Sequence, residues 1–182
     1  TTGIGIGIIE LSIYFFVSFM IRKHWYSELK NINVISYYWM TMTVLTFIWE
    51  CCFIFQYDKV SEYAQVLVTN DTHVWTTQYN LSYVCPWKLS KIFYAEYGAH
   101  ADREYMLLKN YWARTVEGTH AFLCGIWAII ALTTKIHKRH DLFLIAASVS
   151  MGTQLMNSLL YMVNYFIQIG DPSNINYDSP KF

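Results

Sequence analysis

The stretch Ile4-Gly-Ile-Gly-Ile-Ile-Glu10-Leu-Ser-Ile-Tyr-Phe-Phe-Val-Ser-Phe-Met-Ile21 carries a single charge and stops at Arg22-Lys23-His24. About 20 apolar residues in a helix cross the hydrocarbon core of a bilayer, so such a run ended by a basic cluster reads as a membrane span. A cleaved signal peptide would have a shorter apolar region followed by a small-x-small site, so the segment is expected to be a retained helix. Three further stretches repeat the pattern. The second span runs from about Val34 to Tyr57 with Glu50 inside it, and the third from about Tyr111 to Thr134 with Arg114, Glu117 and His120 in its first half. The fourth runs from about Leu142 to Ile169, with Gln154 and Asn157 near its middle.

Composition agrees with these spans. Apolar residues make up 54% of the 182 and charged residues 14%, against about 25% in soluble domains. Thirteen basic and thirteen acidic side chains leave no net charge, which excludes a nucleic-acid binder that works through a broad basic surface. The same apolar richness excludes a disordered chain. Four Cys without regular spacing make neither a disulfide framework nor a zinc site. The expected fold is all-α: a polytopic membrane bundle of four transmembrane helices with one long extramembrane loop, 58–110. Residues 1–33 form the first helix and a short basic loop, 34–169 the remaining three helices with the long loop, and 170–182 a tail.

Orientation follows from Lys and Arg in the short loops. Arg22, Lys23, Lys30, Lys135, Lys138 and Arg139 cluster in the first and third loops, which should face the cytosol. Both termini and the long loop then face the lumen or exterior. That loop holds two glycosylation sequons, Asn70-Asp-Thr72 and Asn80-Leu-Ser82, on the side that charge predicts, which points to the endoplasmic reticulum. In a mitochondrial inner membrane, the alternative, both sequons would go unused. Within the loop, Val66-Leu-Val68 reads as a short strand, and Tyr83–Tyr97, aromatic and amphipathic, as a helix on the membrane surface.

Glu10, Glu50 and Glu117 lie inside spans, where an acid costs about 2.5 to 3.5 kcal/mol on insertion scales and therefore faces the bundle interior. Two readings compete: a proton donor and acceptor in an apolar pocket, or interhelical hydrogen bonds worth about 0.6 kcal/mol each. Glu117 and His120 are three apart on one helix face, and so are Arg114 and Glu117; Arg114 could neutralise the acid instead. Thr46 and Glu50 are four apart and also share a face. Gly3, Gly5 and Gly7 suit close helix packing rather than a dinucleotide fingerprint. His137-x-x-His140 reads as a solvated pair, and Cys51-Cys52 as packing residues.

The order of motifs resembles a known family. The second span ends Glu50-Cys-Cys-Phe-Ile-Phe-Gln-Tyr57-Asp58, and the long loop ends Tyr94-Ala-Glu96-Tyr97-Gly-Ala-His-Ala-Asp102-Arg103-Glu104-Tyr105. The third span carries Glu117 with Gly125, and the fourth Ser150-Met-Gly152 and Leu160-Tyr161. Over roughly residues 36–165 this is similar to the EXPERA-domain proteins, which include the emopamil-binding-protein family of sterol Δ8-Δ7 isomerases and its relative, the sigma-2 receptor. The resemblance implies a pocket open to the membrane, lined by acids and aromatics, with no cofactor and no metal. One acid would protonate a sterol alkene and a base would remove a proton from the neighbouring carbon. Glu50 and Glu117 match the family's acidic positions and are the candidate catalytic residues, with His120 as a substitute base. Thr46, Trp49, Tyr105, Trp112, Asn157 and Tyr161 are the candidate ligand-binding residues.

Two departures shape the expectation. Thr46 stands where the isomerases carry a His one turn before the acid, and the family's fifth helix would begin where Gly170–Phe182 ends. The long loop is also larger than in the isomerases. The reading is therefore a catalytically degenerate binder of a membrane lipid or sterol, docked on other membrane-complex subunits through loop 58–110. The alternatives are an active isomerase and a purely structural subunit of a mitochondrial membrane complex.

Overall fold

The computed structural model describes residues 1–103, 111–168 and 171–173. Among the described residues six α-helices follow one another: α1 (Gly3–Met20), α2 (Val34–Phe55), α3 (Tyr57–Asn70), α4 (Pro86–His100), α5 (Tyr111–Ile136) and α6 (His140–Gln168). There is no strand among the described residues, only an isolated antiparallel bridge between Thr2 and Gln78. Helices α1, α2, α5 and α6 are long and apolar enough to cross a membrane, the mark of an integral membrane protein. Their outer faces are bare hydrocarbon: Ile8, Phe16, Ile35, Leu144, Leu155 and Phe166 are all exposed.

The spans are knitted by polar side chains at helical spacing. Helix α1 buries Ile6, Glu10, Tyr14 and Ser18, four residues apart each time, along the stripe that meets α2. The Tyr14 hydroxyl donates to the Tyr38 carbonyl at 2.9 Å, and the Tyr37 hydroxyl to the Ser18 carbonyl at 2.7 Å. Between α2 and α6, Gln154 Oε1 accepts from both Trp39 Nε1 and Thr43 Oγ1, each at 3.1 Å. Between α2 and α5 the contact is apolar and close. A Cβ added at Gly125 would stand 2.3 Å from Phe47, and one at Gly118 2.7 Å from Ile54.

Residues 58–103 are more than a connector: they hold two helices packed on each other. The apolar run Val66-Leu-Val68 lies in helix α3, not in a strand. Val60, Ala64 and Leu67 fall on one helical face and bury against α4, so the tertiary stripe outweighs the local strand preference of the valines. Helix α4, which takes up most of the expected Tyr83–Tyr97 helix, buries one face against protein. Leu89, Ile92, Ala95 and Ala99 are buried against α3, and Ser90 Oγ donates to the Trp49 carbonyl of α2 at 2.7 Å. Pro at its first turn suits its start, where no intrahelical N–H is needed.

Two helices end in the same hydrogen-bonded cap without glycine. Asp71 and Lys138 adopt left-handed φ of 50° and 60°. Each is flanked by the pair of bonds that closes such an end: Thr72 N to Leu67 O and Asp71 N to Val68 O, and Arg139 N to Thr134 O and Lys138 N to Lys135 O.

The loops pair as four crossings require. Lys138 Nζ lies 3.5 Å from Glu28 Oε1, where the two short basic loops meet. At the other end, Gly3 N donates to Thr77 O at 3.1 Å, so the start of α1 and the long segment share the opposite side. Of the three N-terminal glycines, Gly3 packs on the Val74 carbonyl, a loop rather than a helix, and Gly7 faces open space.

Candidate functional site

Three spans and helix α4 converge on one cavity of about 330 Å³, lined by Glu50, Phe93, Tyr94, Tyr97, Glu117, Asn157 and Tyr161. Helix α2 contributes Glu50 from its last turns, α5 contributes Glu117, and α6 contributes Asn157 and Tyr161, one helical turn apart. Helix α4 closes the cavity with Phe93, Tyr94 and Tyr97, stacked onto α2 through the Tyr94 and Phe53 rings at 4.6 Å between centroids.

The two acids are held differently. The Tyr94 hydroxyl donates to Glu50 Oε1, while Glu50 Oε2 is buried with no partner among the described residues. Asn157 Nδ2 donates to Glu117 Oε1 at 3.3 Å, and the Tyr161 hydroxyl also hydrogen-bonds Glu117. Burial, followed by the charge of Glu50, pushes the Tyr94 phenol well above the ordinary tyrosine value, so it stays a proton donor throughout the neutral range. Burial, with the charge of Asp102 next, does the same to Tyr97. The cavity thus presents two carboxyl groups against phenol donors and aromatic walls, an arrangement that suits a cationic or electron-poor apolar guest.

Arg114 does not pair with Glu117. Its guanidinium donates to the Ile54 carbonyl at 3.2 Å and sits 4.5 Å above the Tyr57 ring, held at the junction of α2 and α3. His120 is on α5 outside the cavity lining, with Nε2 buried and no partner among the described residues. Thr46 donates to the Thr43 carbonyl of its own helix at 3.0 Å. Trp49 turns to α1, where its indole N–H donates to Glu10 Oε1 at 3.1 Å. The Tyr105 position and the Trp112 side chain lie outside the described residues. Asn70 and Asn80 are both exposed, Asn70 at the end of α3 and Asn80 where its side chain caps the turn Leu81–Val84.

Glu50, Glu117, Asn157 and Tyr161 therefore come together, whereas Thr46, Trp49 and His120 do not join them at the cavity wall. Phe93, Tyr94 and Tyr97 were not singled out as lining residues by sequence. The signal was there in the three-residue spacing of two tyrosines, which places both on one helix face. No family model, curated protein or solved structure matches the chain.

Proposed function

We propose that the chain is an emopamil-binding-protein-like membrane protein whose acidic, aromatic cavity holds one end of a sterol or similar lipid, without turning it over. The observation that supports this reading is the meeting of Glu50 and Glu117, from two different spans, at one cavity walled by Phe93, Tyr94, Tyr97 and Tyr161. Its volume, about 330 Å³, is at the low end of the range of about 300 to 1,000 Å³ usual for small-ligand pockets. The ring end of the guest sits inside and its tail lies among the lipids that cover α6. The unpaired Glu50 Oε2 supplies an acceptor for a hydroxyl or ammonium group. Against turnover stand Thr46, tied to its own backbone, and His120, outside the cavity wall.

An isomerase is the second reading, favoured by the same pair of carboxyls. One protonates the alkene carbon, leaving a carbocation, and the other takes a proton from the adjacent carbon, so the double bond moves. The turnover leaves the proton on the second carboxyl, and it must return to the first by proton exchange before the next one. The endoplasmic reticulum is the proposed membrane, with segment 58–110 as the surface offered to other subunits.

One expression system tests both readings. The chain is produced in membranes lacking their own sterol isomerase, and binding of a tritiated sterol-like tertiary amine is measured beside conversion of a Δ8-sterol. Saturable binding that Glu50→Gln and Glu117→Gln each weaken by about tenfold or more, without conversion, is the expected result. Conversion lost in Glu117→Gln would make the protein an enzyme, and amine binding unchanged in both variants would remove the cavity from ligand binding.

A further inference from the structure

Away from the cavity, on the face of α4 that turns to the long segment, three side chains of metal-ligating type meet. His73, Glu96 and His100 bring one ligand atom each to within 4.8 Å of one another. Glu96 and His100 are one helical turn apart on α4, and His73 arrives from the turn that follows α3. The imidazole rings of His73 and His100 lie 4.0 Å apart between centroids.

What surrounds these side chains matters as much as their distance. His100 Nε2 is 3.0 Å from the Thr72 carbonyl, so Nε2 carries the proton there and Nδ1 is left with its lone pair free. Val74 N donates to Glu96 Oε2 at 2.8 Å, which fixes the carboxylate and leaves Oε1 directed at His73 Nδ1, 2.7 Å away. A ligating imidazole normally gives its other ring N–H to a carbonyl or carboxylate, and ligating carboxylates are themselves hydrogen-bonded. Both supports are provided here by backbone groups of the same turn. Glu96 is buried, while the His73 side chain is 50% exposed, which leaves an ion a way in from solvent.

We propose that His73, Glu96 and His100 bind a zinc ion. Two imidazoles and a carboxylate match the borderline preference of zinc, and a three-residue set leaves a fourth tetrahedral position for water. The ion replaces the proton shared between His73 and Glu96. It locks the 71–79 turn to α4, and through Gly3 N on Thr77 O and Ile4 N on Trp75 O it fixes the start of α1. The site shares no residue with the cavity, so the proposal is independent of the ligand assigned there.

The test uses the detergent-purified full chain, stripped with a chelator and dialysed against zinc chloride, with bound metal measured by atomic emission. One zinc per chain is expected, together with a raised thermal midpoint on zinc addition. Cobalt in place of zinc should give the intense visible absorption of a four-coordinate site. His73→Gln and His100→Gln should each weaken affinity by more than about 100-fold, beyond the 10- to 100-fold cost of losing an outer-shell partner. His73→Gln is the decisive variant, because Glu96→Gln also disturbs the Val74 bond and so the fold. His137→Gln with His140→Gln, in the opposite loop, should leave binding unchanged. No zinc on the wild type, or zinc retained by His73→Gln and lost with the His137/His140 pair, would overturn the proposal and leave His73 and Glu96 as an ion pair.

Discussion

The Tyr94 hydroxyl, on a helix outside the predicted spans, donates to Oε1 of Glu50, on a helix that spans. The bond ties α4 to the Glu50 wall of the cavity, while the second Glu50 oxygen is buried without a partner among the described residues. Tyr94→Phe keeps the ring stack on Phe53 and removes the only donor to Glu50 found among the described residues. Leaving a buried polar group unsatisfied costs about 1 to 3 kcal/mol. The variant should lower the thermal midpoint in detergent, and added sterol-like amine should restore more of it than in the wild type. Equal midpoints in the two proteins would show that the bond adds nothing.

Glu10 depends on Trp49 in the same way. Trp49 Nε1 is its donor, and its other oxygen is buried without a partner among the described residues. Trp49→Phe should therefore destabilise by about 1 to 3 kcal/mol. The double variant Glu10→Met with Trp49→Phe should recover part of that loss, because removing both members of a buried polar pair costs less than stranding one. Chemical unfolding of the four proteins in mixed micelles gives the cycle, and strictly additive losses would contradict the pairing.

The two glycines of α5 make opposite predictions from that of α6. Gly125→Ala must push Phe47 aside, since the new methyl would stand 2.3 Å from it, and overpacking costs about 1 to 3 kcal/mol. Gly152→Ala meets nothing within 4 Å and should be neutral or slightly stabilising through helix propensity. Thermal midpoints of the two variants, measured side by side, decide the matter.

Lys138 pays for a left-handed backbone that glycine adopts freely. A non-glycine residue in that region costs roughly 1 kcal/mol, whereas its partly exposed ion pair with Glu28 is worth about 0 to 1 kcal/mol. Lys138→Gly should therefore leave stability unchanged or raise it by a few tenths of a kcal/mol. A drop beyond about 1 kcal/mol would mean that the bond to Glu28 holds the two basic loops together.

How much was legible follows from what each residue responds to. The four spans were readable because bilayer length and hydropathy are local properties of the chain. Glu50 and Glu117 were readable as inward-facing because an acid in an apolar span must turn to the bundle interior. That rule does not say which inward residues meet: the expected set also held Thr46, Trp49 and His120, which lie off the cavity wall, while Tyr161 came from the family resemblance. The fate of Arg114 was not readable. Spacing placed it near Glu117, but the free carbonyl of Ile54 at the end of α2 and the Tyr57 ring compete for it, and only the meeting of α2 and α5 reveals them. Helix α3 was hidden by its valines, and its end by an aspartate standing where glycine usually signals a cap. His73 lay far from Glu96 and His100 in sequence, so their grouping exists only once α3 and α4 pack.

The glycine contacts of α5 also decide which wall of the cavity is a door. Phe47 on Gly125 and Ile54 on Gly118 pin α2 to α5 at two heights, and Gly118 is the neighbour of Glu117. Separating those helices would break both contacts together. Helix α6 is fastened differently. Beyond Gln154 it meets the rest of the chain chiefly through Asn157 and Tyr161, while Leu155, Met156, Leu159, Leu160, Val163 and Phe166 face outward. Under the proposed binding role, a guest entering sideways from the lipid would have to release the bonds of those two side chains to Glu117. Glu117, opposite the free oxygen of Glu50 in the same cavity, is thus the latch that holds this end of α6 in place.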